Sequence, residues 1–136
     1  MTLYVTEAEM LERYIDGLKK SASRAEEFLT AESEDKAQLF IDFIDGIKVA
    51  AGSAHQLAHA QANPKWLDTR DLLEAVIAVA QSILIHTDDD KPFWKKIKAS
   101  LEVMQVTGRT LATSRAMKRS DVLLHLDERS KNARLN

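Results

Sequence analysis

Residues Ser33 to Asn63 read SEDKAQLFIDFIDGIKVAAGSAHQLAHAQAN. Phe40, Ile44, Ile47, Ala51, Ala54 and Ala58 recur in steps of 4, 3, 4, 3 and 4, which places one apolar stripe along a helix about 45 Å long. Leu39, Ile41, Phe43, Val49, Ala50 and Leu57 spread apolar surface beyond that stripe. Only Gln38, Asp42, Asp45, Ser53 and Gln56 form a narrow polar edge. A helix this apolar needs neighbours on more than one side, and the flanking segments supply them.

Upstream, Thr6-Glu7-Ala8-Glu9 has the form of a capping box, in which the threonine hydroxyl takes the amide of the residue three further on. Leu11, Ile15, Leu18, Ala22, Ala25 and Leu29 follow with the same 4, 3 spacing, so a helix over about 6–31 is expected. Ser33 is placed to cap a second helix over 33–62, and Glu34 and Asp35 suit its first turn. So short a link makes the two helices antiparallel neighbours. They share an echo: Tyr14-Ile15-Asp16-Gly17-Leu18-Lys19 against Phe43-Ile44-Asp45-Gly46-Ile47-Lys48, 29 residues on. Each glycine costs about 1 kcal/mol in a helix relative to alanine, and close backbone approach is one reason to keep them.

Asn63-Pro64 ends the second helix, since the residue before proline disfavours the helical region. Asp68 reads as the cap of a third helix over about 69–86, whose centre, LLEAVIAVAQSILI, holds only Glu74, Gln81 and Ser82 as polar residues. A buried strand shares that composition, but length and context favour a helix. Pro92 suits the first turn of a fourth helix over 92–119, along which Ile97, Leu101, Met104, Gly108 and Leu111 recur. Ser120-Asp121 reads as a fresh cap for a short helix over 121–129, unless the fourth helix continues unbroken; residues 130–136 have the composition of a frayed tail. The expected fold is all-α: one domain over 1–136, an antiparallel four-helix bundle with a short fifth C-terminal helix.

Composition narrows function mainly by exclusion. With 136 residues, 45% apolar and 29% charged, the chain has globular composition and length enough for a sizeable core. The absence of cysteine removes disulfides, thiolate metal sites and cysteine nucleophiles. The start, MTLYVTEAEM, lacks the pattern of a signal peptide, and the longest apolar run, Ala75 to Ala80, is far short of a membrane span. A soluble, cytoplasmic protein is therefore expected. The net charge of −2 is unevenly distributed: 11 acidic against 5 basic side chains over 1–45, 7 against 7 over 46–108, and 3 against 7 over 109–136. Such a chain can steer charged partners or pair head to tail with itself.

The candidate sites are few. His55 and His59 stand four apart, the local spacing of a two-histidine metal pair, but Gln56 replaces the glutamate of the zinc-protease motif and no third ligand is near in sequence. Asp88-Asp89-Asp90 lacks the alternation and glycine of a calcium loop and reads as an acidic turn before a helix. Arg109, Arg115, Lys118, Arg119, Arg129, Lys131 and Arg134 make the C-terminal third the best nucleic-acid candidate, although no aromatic residue follows Trp94 to stack on bases. Within it, Arg119 and His125 stand six apart, as Arg119-Ser120-Asp121-Val122-Leu123-Leu124-His125. That spacing resembles the arginine–histidine motif of helical ribonucleases of the HEPN class. The resemblance implies His125 in acid–base cleavage of RNA and Arg119 stabilising phosphate charge. No phosphate loop, nucleophile elbow or ferritin-like carboxylate pair is present.

These readings favour a non-enzymatic helical interaction protein without cofactor or metal: an adaptor, inhibitor or small assembly subunit. Its contact residues are expected among Leu39, Phe43, Ala50, Leu72, Ala75 and Val79, and a homodimer is the economical way to cover them. Nucleic-acid binding or cleavage through Arg115, Lys118, Arg119 and His125 is the alternative.

Overall fold

The computed structural model describes residues 5–31, 35–86 and 91–135, with side chains described throughout these except at 84–86 and 114–135. Four helices follow one another: α1 (Glu7–Phe28), α2 (Lys36–Ala60), α3 (Lys65–His86) and α4 (Lys91–Leu135). No strand occurs among the described residues. Helix α1 packs on both α2 and α4, and α2 also packs on α3, while among the described residues α3 and α4 make no close backbone approach.

Local chemistry accounts for most of the helix ends. Thr6 caps α1, its hydroxyl accepting the Glu9 amide at 3.1 Å, which is the cap read from the sequence. The expected cap at Ser33 falls outside the described residues, and α2 starts at Lys36. At its far end α2 stops at Ala60, and Ala62 adopts φ 48°. The Ala62 amide then donates to the His59 carbonyl at 3.3 Å and the Asn63 amide to the Ala58 carbonyl at 3.0 Å. These two bonds form a Schellman motif, with alanine at the left-handed position where glycine is usual.

Two boundaries differ from the sequence reading. Helix α3 begins at Lys65 rather than near 69, because Asn63 is its cap: the Asn63 side-chain oxygen accepts the Lys65 amide at 3.1 Å, and Pro64 takes the first helical position. Asp68 lies inside the first turn, where its charge still complements the helix dipole. Helix α4 runs on through Ser120-Asp121 to Leu135, so the expected break, the fifth helix and residues 130–135 of the expected tail are parts of one 45-residue helix. No glycine or proline follows Gly108 to interrupt it.

The core is organised around the α1–α2 crossing. A Cβ on Gly17 would lie 2.6 Å from the Gly46 carbonyl oxygen, and one on Gly46 would lie 2.7 Å from the Gly17 carbonyl oxygen. Beside the crossing, buried Ser21 donates its hydroxyl proton to the Phe43 carbonyl at 2.7 Å, which satisfies a polar group that burial would otherwise penalise. Four equivalent positions of the echo are buried on each helix: Tyr14, Ile15, Gly17 and Leu18 on α1, Phe43, Ile44, Gly46 and Ile47 on α2. The leading aromatic of each echo meets a tryptophan edge-on, Tyr14 against Trp66 at 5.2 Å and Phe43 against Trp94 at 5.0 Å. Trp94 also stacks flat on Phe28 at 3.9 Å. Arg24 to Asp42 at 3.4 Å joins α1 to α2, and Lys98 to Glu26 at 3.6 Å joins α4 to α1.

Candidate functional site: the open seam between α3 and α4

Two helices that each pack on the α1–α2 pair without approaching one another leave a seam between them. Its floor at one end is Tyr14 of α1, held in place by the edge of Trp66 and by α4, whose Gly108 is so close that a Cβ there would lie 2.5 Å from the Tyr14 ring. Lys65, Thr69 and Leu72 of α3 and Met104, Thr107, Thr110 and Leu111 of α4 form the walls of this end, with Asn63 at its mouth. Together they enclose a pocket of about 620 Å³, a size ordinary for a small-molecule site.

The seam and the helices beside it carry much of the exposed apolar surface. Leu72 is 54% exposed and Val79 48% on α3; Val103 is 61% and Val106 66% on α4. Among the residues expected to form a contact face, Leu72, Ala75 and Val79 are exposed and Leu39 is half-buried. Phe43 and Ala50 are not surface residues at all, since both are fully buried. Phe43 packs under Trp94, and Ala50 packs beside Gly17 at the α1–α2 crossing. The sequence reading missed Val103 and Val106, whose spacing from each other places them together on the outward side of α4.

A second cleft of about 630 Å³ lies along α2 and α3, lined by Lys48, His55, Arg70 and Glu74 among others. Here His55 and His59 do share one helix face, with ring centroids 4.8 Å apart. Arg70 stands 2.7 Å from Nδ1 of His55; a guanidinium only donates, so that nitrogen is the acceptor. Arg70 thus occupies one ring nitrogen of His55. No group of three or more histidine, aspartate or glutamate side chains is placed to hold a metal ion among the described residues.

The nucleic-acid candidates are placed only in part. Arg115, Lys118, Arg119 and His125 all lie along α4, and their side chains fall outside the described set. The acidic turn at Asp88-Asp89-Asp90 lies outside the described residues. Among the described residues, no helix is long and apolar enough to cross a membrane. Comparison with protein-family models, curated proteins and solved structures finds no match to this chain.

Proposed function

We propose that this chain is a non-enzymatic helical interaction protein, an adaptor, inhibitor or small assembly subunit, that pairs with a second copy of itself through the face formed by α3 and α4. The observation that carries the reading is the exposure of Leu72, Val79, Val103 and Val106 on the two helices that do not close on each other. Contiguous exposed apolar surface marks partner contacts, and sequence spacing puts Leu72 with Val79 on one side of α3 and Val103 with Val106 on one side of α4. Charge supports self-pairing: the acidic balance over 1–45 and the basic balance over 109–136 attract when two copies meet head to tail.

We also infer an antiparallel course for the bundle. Gly17 meets Gly46 while Ser21, further along α1, reaches back to Phe43 on α2. Tyr14 meets Gly108 while Phe28 meets Trp94 on α4. Each rise along α1 corresponds to a fall along its neighbour.

Light scattering across a sizing column tests the pairing. A dimer mass that falls to the monomer value in Val103→Glu/Val106→Glu is the expected result. A monomer at every concentration of the unaltered chain overturns the reading.

A further inference from the structure

The pocket at the Tyr14 end of the seam has a chemistry that self-pairing does not require. Its lining includes three threonines, and each spends its hydroxyl proton on its own helix: Thr69 on the Lys65 carbonyl, Thr107 on Met104 and Thr110 on Val106, at 3.1–3.3 Å. Three other donors are left over. The Tyr14 hydroxyl makes no hydrogen bond to a described residue, although Tyr14 is only 1% exposed. The Asn63 side chain uses its oxygen on the Lys65 amide, which leaves its NH₂ group unused. The Lys65 ammonium has no carboxylate partner among the described residues, and it is the single charged side chain among the described lining residues.

Among the described lining residues the balance is therefore one-sided: unused donors, one cation, no acid, and the start of α3 with its partial positive charge. These donors have no protein acceptor among the described residues, so an incoming acceptor gains hydrogen bonds here that an apolar group does not. The remaining walls, Leu72, Met104 and Leu111, are apolar. Leu72 belongs to the exposed apolar set, so the pocket opens onto the seam rather than being sealed within the core.

We propose that this pocket binds a single-tailed amphiphile with a carboxylate head, the head held by Lys65, Asn63 and the Tyr14 hydroxyl and the tail laid along Leu72, Met104 and Leu111. Occupancy completes the hydrogen bonding of Tyr14 and covers apolar side chains that the bundle leaves in contact with solvent. The inference goes beyond self-pairing and shares with it the exposed Leu72.

Decanoate is the probe, with 1-decanol as its uncharged counterpart, each titrated calorimetrically into the full chain. Saturable decanoate binding at one site per chain is expected, weakened at least about tenfold in Lys65→Met and in Tyr14→Phe. The affinity of 1-decanol should change far less in Lys65→Met, because that variant keeps the apolar walls. Thr107→Trp, which fills the pocket, should abolish both. Absence of saturable decanoate binding overturns the proposal, and so does binding that Lys65→Met and Thr107→Trp leave unchanged. Lys65 is exposed, so its replacement leaves the fold intact. The solution mass of Lys65→Met, measured alongside, separates loss of the ligand site from loss of pairing.

Discussion

Gly17 and Gly46 occupy the same place in one sequence echo, and each fills the space where the other's Cβ would stand. The symmetry extends to their neighbours. A Cβ on Gly17 would also crowd Ala50, and one on Gly46 would run into Ser21, 29 residues earlier and in the equivalent position. The α1–α2 pair is thus a local two-fold crossing whose closeness depends on two absent methyl groups. Backbone at this distance cannot move aside as a flexible side chain can.

Glycine replacements should therefore separate by position. Gly17→Ala and Gly46→Ala are expected to destabilise the fold by roughly 1–3 kcal/mol, overpacking outweighing the gain in helix propensity. Gly52→Ala is the control: nothing lies within 4 Å of its added Cβ, so it should stabilise by about 1 kcal/mol. Urea unfolding of the three variants gives the comparison. Equal effects at all three positions would refute the close crossing.

The turn after α2 offers a gain of a different kind. Ala62 holds φ 48° in the left-handed region, which costs a residue with a Cβ roughly 1–2 kcal/mol. Ala62→Gly should remove most of that strain and, after the extra backbone entropy of glycine, stabilise the chain by about 0.5–1 kcal/mol. A lower melting temperature for this variant would count against the Schellman geometry.

Close by, buried Gln61 accepts the Trp66 indole proton at 2.9 Å, which fixes the ring that backs Tyr14. Gln61→Leu strands that donor, and a loss of roughly 1–3 kcal/mol is expected. The fluorescence of Trp66 should report the change; an unaltered denaturation midpoint would show that the bond contributes nothing.

Tyr14 predicts a pH dependence. Burial pushes its phenol well above the ordinary value of 10.0, so the folded chain keeps the proton where the unfolded chain releases it. The associated stability is fully present below pH 10 and is lost as pH rises from there toward the folded-state value. Between about pH 9 and about pH 11 the unaltered chain should lose more stability than Tyr14→Phe, which has no proton to release. Parallel loss in both proteins would mean that other groups control the alkaline transition.

Surface replacements should leave stability and association uncoupled. Leu72→Glu and Val79→Glu exchange exposed residues, so each should shift stability by no more than about 0.5 kcal/mol. If α3 and α4 form the contact face, the same variants nevertheless reduce the solution mass. A dimer unaffected by both would place the contact elsewhere.

Much of the helical framework was legible because each element carries a local signal. Thr6 and Glu9 mark the start of α1, and the 4, 3 spacing marks the faces that become buried. Phe43 and Ala50 were misread for a physical reason: on a helix apolar nearly all round, periodicity does not say which side a neighbour covers. Asn63 was read only as a terminator, yet one side chain both follows α2 and caps α3. The tryptophans carried a signal that went unused. Pro64-Lys65-Trp66 and Pro92-Phe93-Trp94 repeat one pattern at the starts of α3 and α4, 28 residues apart, and their rings meet the aromatic leaders of the echo. The pocket had no local signature, since Tyr14, Lys65 and Leu111 meet only through the fold.

The pairing of α1 with α4 has a consequence for the order of assembly. Phe28 waits for Trp94, 66 residues downstream, and Tyr14 waits for Gly108, 94 residues downstream. As the chain leaves the ribosome, α1 and α2 can zip together across their short link, and α3 can settle on α2. One flank of α1 stays bare throughout that interval. Helix α1 is thus made well before the helix that covers it, and its aromatic residues depend on α4 to arrive before a neighbouring nascent chain does.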